Sequence, residues 1–154
     1  MEMSVDHRLI APCGIHCEPC PLYRARTDEA LRESLAQRLG TPAEVTRCEG
    51  CRPTAGSPMP LRGEVCPTYT CPEDKKHEFC HECAEFPCRL LHPVADRAAV
   101  LPHNTKLMSL LVMKRDGIES WARQYPTIQK RYFEGKISIG HGPSLPDDVE
   151  RDEP

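Results

Sequence analysis

Ten cysteines dominate the chemistry this sequence can support, and all of them fall between positions 13 and 88. The first group is Cys13, Cys17 and Cys20, within Cys13-Gly14-Ile15-His16-Cys17-Glu18-Pro19-Cys20. Cys48 and Cys51 flank Glu49-Gly50, Cys66 and Cys71 form a looser pair, and Cys80 and Cys83 are followed closely by Cys88. Three pairs, Cys17/Cys20, Cys48/Cys51 and Cys80/Cys83, have the C-x2-C spacing that turns two sulfurs onto one ion. Gly50 supplies the small residue such a turn favours. Zinc takes four ligands tetrahedrally, so two pairs close one site. A simple arrangement puts Cys17, Cys20, Cys48 and Cys51 on one ion and Cys66, Cys71, Cys80 and Cys83 on another. Cys13 and Cys88 are then spare, or replace one of those ligands. Ten cysteines with two histidines would also serve three tetrahedral ions, and His16, His77 and His81 lie near enough in sequence to take part. Spacing does not choose between two ions and three.

An iron–sulfur centre is the main rival. Cys13, Cys17 and Cys20 make C-x3-C-x2-C, the spacing with which radical S-adenosylmethionine enzymes hold three corners of a four-iron cluster. Those enzymes set it after the first strand of a large β/α barrel, and this chain has neither the length nor the β–α alternation. A plain 4Fe-4S carrier stays open, because thiolates serve both metals. Two hydrolytic motifs are weaker. His77-Glu78-Phe79-Cys80-His81 matches H-E-x-x-H, in which two helical histidines hold zinc and the glutamate activates water. Here a cysteine interrupts the match, and no third protease ligand follows. His16-Cys17-Glu18 supplies the H-x-E of zinc deaminases without the P-C-x-x-C that completes them. A site closed by four protein ligands leaves no position for a catalytic water, so the reading leans away from an enzyme.

Metal is preferred to disulfides because of the compartment the sequence suggests. The opening residues, Met1 to Arg8, mix charges and lack the apolar run of a signal peptide. No stretch has the length of a membrane span. The expectation is a reducing cytoplasm, where disulfides rarely persist. Composition agrees that something beyond burial must staple the chain: over 154 residues, aromatics make up only 5% and there are 16 prolines. The formal net charge is −3, and eight thiolates on two zinc ions would take it to about −7. That leaves no global case for nucleic acid. Lys114-Arg115 and Lys130-Arg131 read as solvated helix faces rather than a phosphate-binding patch.

The elements that position the cysteines can be read in part. Thr27 is the expected N-cap of a helix, with Asp28 and Glu29 in its positive first turn, Leu31, Leu35 and Leu39 on one face, and Gly40 as its C′ stop. Thr41-Pro42-Ala43-Glu44 reads as a capping box that opens a short turn delivering Cys48. Residues 52–63 read as loop. Beyond the cysteines, Asn104 is expected to cap a helix whose apolar face is Leu107, Leu110, Leu111 and Met108. Gly117 breaks it; Ile118, Trp121, Ala122 and Tyr125 begin a second face, which Pro126 should end or kink. Ile137-Ser138-Ile139 is the best short strand, and from about Gly140 the polar, acidic, proline-rich tail is expected to be disordered.

Ala11-Pro12-Cys13-Gly14-Ile15-His16-Cys17-Glu18-Pro19-Cys20-Pro21-Leu22-Tyr23, then Cys48-Glu49-Gly50-Cys51, then Phe79-Cys80-His81-Glu82-Cys83-Ala84-Glu85-Phe86-Pro87-Cys88-Arg89-Leu90 resembles the bacterial and archaeal family called domain of unknown function 3795. Gly117-Ile118-Glu119-Ser120-Trp121 also resembles a helical segment of that family. The resemblance spans about residues 10–125, and Phe-Cys-x-x-Cys-x-x-Phe-Pro-Cys is its most specific part. It implies a cysteine-rich, zinc-binding prokaryotic domain without an established activity. Many members carry a further cysteine pair near the C-terminus. None follows Cys88 here, so a site using that pair is missing or completed differently.

The expected fold is therefore a small, metal-stapled, α-rich irregular domain, with its cysteine-rich half packed against C-terminal helices. Residues 1–10 are read as an extension, 11–92 as the metal-binding region, 93–139 as the helical region and 140–154 as the tail. The expected ligands are Cys13, Cys17, Cys20, Cys48, Cys51, Cys66, Cys71, Cys80, Cys83 and Cys88, holding two or three zinc ions. The expected role is an interaction or accessory module with a protein partner, not nucleic acid or membrane. An iron–sulfur or thiol redox protein is the first alternative, and a metal-dependent hydrolase using His77, Glu78 and His81 is the second.

Overall fold

A computed structural model describes residues 5–91, 103–136 and 145–146. Its α-helices are α1 (Pro21–Arg24), α2 (Glu29–Leu39), α3 (Pro67–Asp74), α4 (His103–Asp116) and α5 (Ile118–Glu134), with short 3₁₀ turns between them. No sheet occurs among the described residues, where an isolated antiparallel bridge pairs Ile10 with His16. The protein is a small, mostly α-helical, irregular domain.

Helix α2 forms where its caps require. Asp28, one residue after the expected Thr27, is the N-cap, and its carboxylate accepts from the Leu31 N–H at 3.0 Å. Thr27 instead donates its hydroxyl to the Arg24 carbonyl. Gly40 closes the helix in the left-handed conformation at φ 61°. The leucine face is only partly covered: Ala36 is the buried residue of α2, and Leu39 is exposed. The capping box at Thr41 is absent. Residues Ala43–Val45 make a 3₁₀ turn, and Thr41 and Thr46 hydrogen-bond each other's hydroxyls at 2.7 Å.

Helices α4 and α5 pack against each other around Gly117, and α4 packs against the cysteine-rich region through the 3₁₀ turns Cys80–Glu82 and Arg89–Leu91. Trp121, Tyr125 and Ile128 give α5 its buried side. The helix runs through Pro126 to Glu134, where a stop or kink was expected. Pro126 sits on the exposed side, where the carbonyl deprived of its N–H partner can bond to water. The buried face of α4 is rotated from the expected one: Thr105, Lys106, Ser109, Leu110, Val112 and Met113 are buried, whereas Met108 and Leu111 are exposed. Asn104 lies inside the helix as described from His103. The core joins both halves, with Ile10, Ala11, Cys13, Phe79 and Leu91 packed on Leu110, Met113, Trp121 and Tyr125. Among the described residues, no helix is long and apolar enough to cross a membrane. Ile137-Ser138-Ile139 lies outside the described residues, as does the expected tail apart from Leu145 and Pro146; Leu145 is buried.

Candidate metal centre

Residues 10–20 fold as a tight loop whose backbone hydrogen bonds set the directions of its cysteines. Ala11 N–H donates to the Ile15 carbonyl at 2.8 Å, and Cys17 N–H donates to the Leu9 carbonyl at 2.7 Å. The loop presses directly on α4 at Gly14. Its φ is +85°, and a Cβ there would stand 3.0 Å from the Ser109 Cβ, so only glycine suits this position. His16 is buried beside Trp121 and Tyr125, with ring centroids 5.5 and 5.6 Å away. Cys20 then serves as N-cap of α1, with Pro21 at the first helical position.

The Cys48–Cys51 turn is drawn alongside by the Cys48 N–H, which donates to the Leu22 carbonyl at 3.0 Å. Gly50 N–H donates to the Cys48 Sγ at 3.4 Å. The same glycine has φ +95°, and a Cβ on it would lie 3.2 Å from the Cys17 Sγ. These sulfurs lie in one another's field. Burial pushes the Cys17 thiol up to about 11, and the neighbouring Cys20, Cys48 and Cys13 add to the shift. Burial likewise raises Cys51, with Cys13, Cys17, Cys48 and Cys66 contributing. As bare anions these sulfurs would pay for desolvation and for mutual repulsion; a divalent cation would relieve both.

Cys71, Cys80, Cys83 and Cys88 line a second place, a cavity of about 30 Å³. Cys71 comes from α3, Cys80 and Cys83 from the 3₁₀ turn Cys80–Glu82 and its C-cap, and Cys88 from the residue before Arg89–Leu91. The Cys80 N–H donates to the Pro12 carbonyl at 2.9 Å, which ties this turn to the first loop. Burial pushes the Cys80 thiol up to about 12, with Cys13, Cys88 and Cys71 adding and Lys106 opposing. Lys106 is itself buried, and its charge also opposes the burial-driven rise of Cys13. Cys66, grouped by spacing with Cys71, Cys80 and Cys83, is not on this cavity; its sulfur acts on Cys13 and Cys51.

None of the ten cysteines is in a disulfide. As the side chains stand, no three His, Cys, Asp or Glu among the described residues form a group able to hold a metal ion. The donor chemistry nevertheless suits zinc: soft thiols dominate, one sulfur already accepts a backbone N–H, and Gly50 leaves room against another.

The H-E-x-x-H segment does not have the geometry of a protease site. His77, Glu78 and Phe79 are outside any helix, and His81 lies in a 3₁₀ turn. Each side chain has a different neighbour. Glu78 hydrogen-bonds His7 at 2.9 Å, His77 lies 3.8 Å from Glu82, and the His81 ring stacks on Phe79. Sequence reasoning missed two site residues, Lys75 and Lys106. Lys75 places its Nζ 3.5 Å from the Cys83 Sγ and 2.8 Å from a Glu85 carboxylate oxygen. The sequence signal for Lys75 was its i+4 spacing from Cys71, which becomes visible only once α3 is known to be a helix.

No curated protein matches the chain, and no solved structure does. A family model does match residues 9–93, more than half of the chain, and these include every cysteine. The chain belongs to the family described as protein of unknown function (DUF3795).

Proposed function

We propose that this protein is an accessory module stapled by structural zinc, with its cysteine thiolates as ligands and a protein as its partner. The observation that carries the reading is the Cys48–Cys51 turn against Cys17. A backbone N–H is aimed at one sulfur, and Gly50, in the left-handed conformation, lies close against another. Oriented N–H groups stabilise thiolate rather than thiol, as the supporting shell of a metal site does. Cys17, Cys20, Cys48 and Cys51 would hold one ion. Zinc in such a closed site supplies folding energy and no reaction. A protein partner is the favoured use because four-sulfur sites leave no coordination position for a substrate.

Elemental analysis and a visible spectrum on the full chain, purified reduced and without air, test this reading. The expected result is colourless protein with about two zinc ions per chain. Iron with matching sulfide would replace it with the cluster reading, in which Cys13, Cys17 and Cys20 take the leading part. Protein that folds fully without any metal would end both.

A further inference from the structure

We infer that Cys71, Cys80, Cys83 and Cys88 together form a second zinc site, with Cys88 as the fourth ligand and Cys66 outside it. The inference rests on the zinc reading above and extends it to a site that spacing alone assigns differently. Its basis is the cavity those four residues line. At about 30 Å³ it has room for little more than one water-sized body.

The geometry of α3 explains why Cys66 is excluded. Cys66 is the N-cap, in extended backbone, and Cys71 lies inside the helix five residues later, more than one full turn along its axis. Cys71 lines the cavity and Cys66 does not; the Cys66 sulfur lies in the field of Cys13 and Cys51 instead. Thr68, Cys71, Pro72 and Lys75 recur at i, i+3, i+4 and i+7, and all four line the cavity. Opposite them, the Cys83 N–H donates to the Cys80 carbonyl at 3.2 Å and the Phe86 N–H to the Cys83 carbonyl at 3.1 Å. These two bonds turn the chain back so that Cys88 rejoins the pair. A four-thiolate zinc site carries an excess of two negative charges. The Lys75 ammonium, 3.5 Å from the Cys83 sulfur, is placed to offset part of it.

Stepwise removal of zinc from the full reduced chain by a chelator, with thiol alkylation and peptide mapping at each step, tests the assignment. The expected result is that loss of one ion exposes Cys71, Cys80, Cys83 and Cys88 to alkylation as a set. A variant that keeps a ligand guards against misfolding. Cys88→His should hold the same number of ions, and in the cobalt-substituted protein its sulfur-to-metal charge-transfer intensity should fall by about one-eighth, one of eight metal–sulfur bonds being lost. Cys66→Ser should change neither the ion count nor that intensity. Labelling of Cys66 in place of Cys88 in the set, or loss of an ion from Cys66→Ser, overturns the assignment while leaving the zinc reading standing. A wild-type chain that binds no zinc overturns both.

Discussion

The two cysteine groups are built on different foundations. In the first, Cys13, Cys17 and Cys48 are buried while Cys20 and Cys51 are half-buried, and the loop carrying Cys13 and Cys17 is pressed onto α4 and α5 through Gly14 and His16. Cys71, Cys80, Cys83 and Cys88 are only half-buried, between one short helix and irregular chain, with the charged pair Lys75–Glu85 at the rim. Both groups reach the hydrophobic core, the first through Cys13 and Cys51 and the second through Cys80 and Cys88, but only the first includes buried thiols. Cysteine clusters can therefore sit in two physical settings in one small domain.

On the zinc reading proposed above, metal removal should separate the groups most strongly, because a structural zinc would contribute about 10–16 kcal/mol of binding energy at neutral pH. Under a chelator and reductant, the half-buried group should release its ion first while the helical signal of α4 and α5 persists. Release from the buried group should then coincide with collapse of that signal. Circular dichroism recorded alongside thiol labelling checks the order, and simultaneous release would erase the distinction.

Trp121→Ala comes next. The indole is fully buried and packs on both His16 and Tyr125, so its removal should cost about 3–5 kcal/mol in denaturant unfolding. Its effect should fall on the first group, speeding ion release there far more than at Cys71, Cys80, Cys83 and Cys88.

Alkaline titration probes the same buried side. Burial pushes Tyr125 from 10.0 up to about 12, although hydrogen bonding to the His16 backbone and the Thr105 side chain holds it back. The unfolded chain ionises this phenol first. The stabilisation is therefore complete below pH 10 and is lost as pH rises towards 12, amounting to about 2–3 kcal/mol. A late tyrosinate absorbance step that disappears in Tyr125→Phe, together with a flatter stability profile above pH 10, is the expected observation.

Arg52→Met tests what links the two groups. The guanidinium donates to the Ile10 carbonyl at 2.7 Å and to the Glu78 carbonyl at 2.9 Å, and it lies over the Phe79 ring. Losing these charge-assisted bonds should cost about 1.5–3 kcal/mol. It should also widen the interval between the two ion-release steps, since this side chain bridges the first loop and the Cys80 turn. Unchanged intervals would mean that the groups communicate through the core alone.

Much of the helical layout was legible in the sequence, and the misses have physical causes. Helix α2 was readable because its limits are set locally, by Asp28 and Gly40. Helix α3 was not, because Pro67 and Pro72 count against a helix unless one proline occupies the first turn and the other can be buried against a neighbour. The α4 face was misjudged because hydropathy favours Leu111 and Met108, whereas the Gly14 loop needs a small residue beneath it. Ser109 meets that need and is buried for that reason.

What the sequence determined by itself is the chemistry available: ten thiols in the first 88 residues, three tight pairs, a mostly helical chain poor in aromatics, and membership of one family. Only the tertiary structure decided which thiols are neighbours. A C-x2-C turn brings its own two sulfurs together through local backbone geometry, whichever way the rest of the chain runs. The second pair is delivered by the path of the intervening chain, as when Cys71 but not Cys66 reaches the cavity and the bend after Cys83 returns Cys88 to it. Spacing records the local half of such a cysteine cluster, and packing supplies the other half.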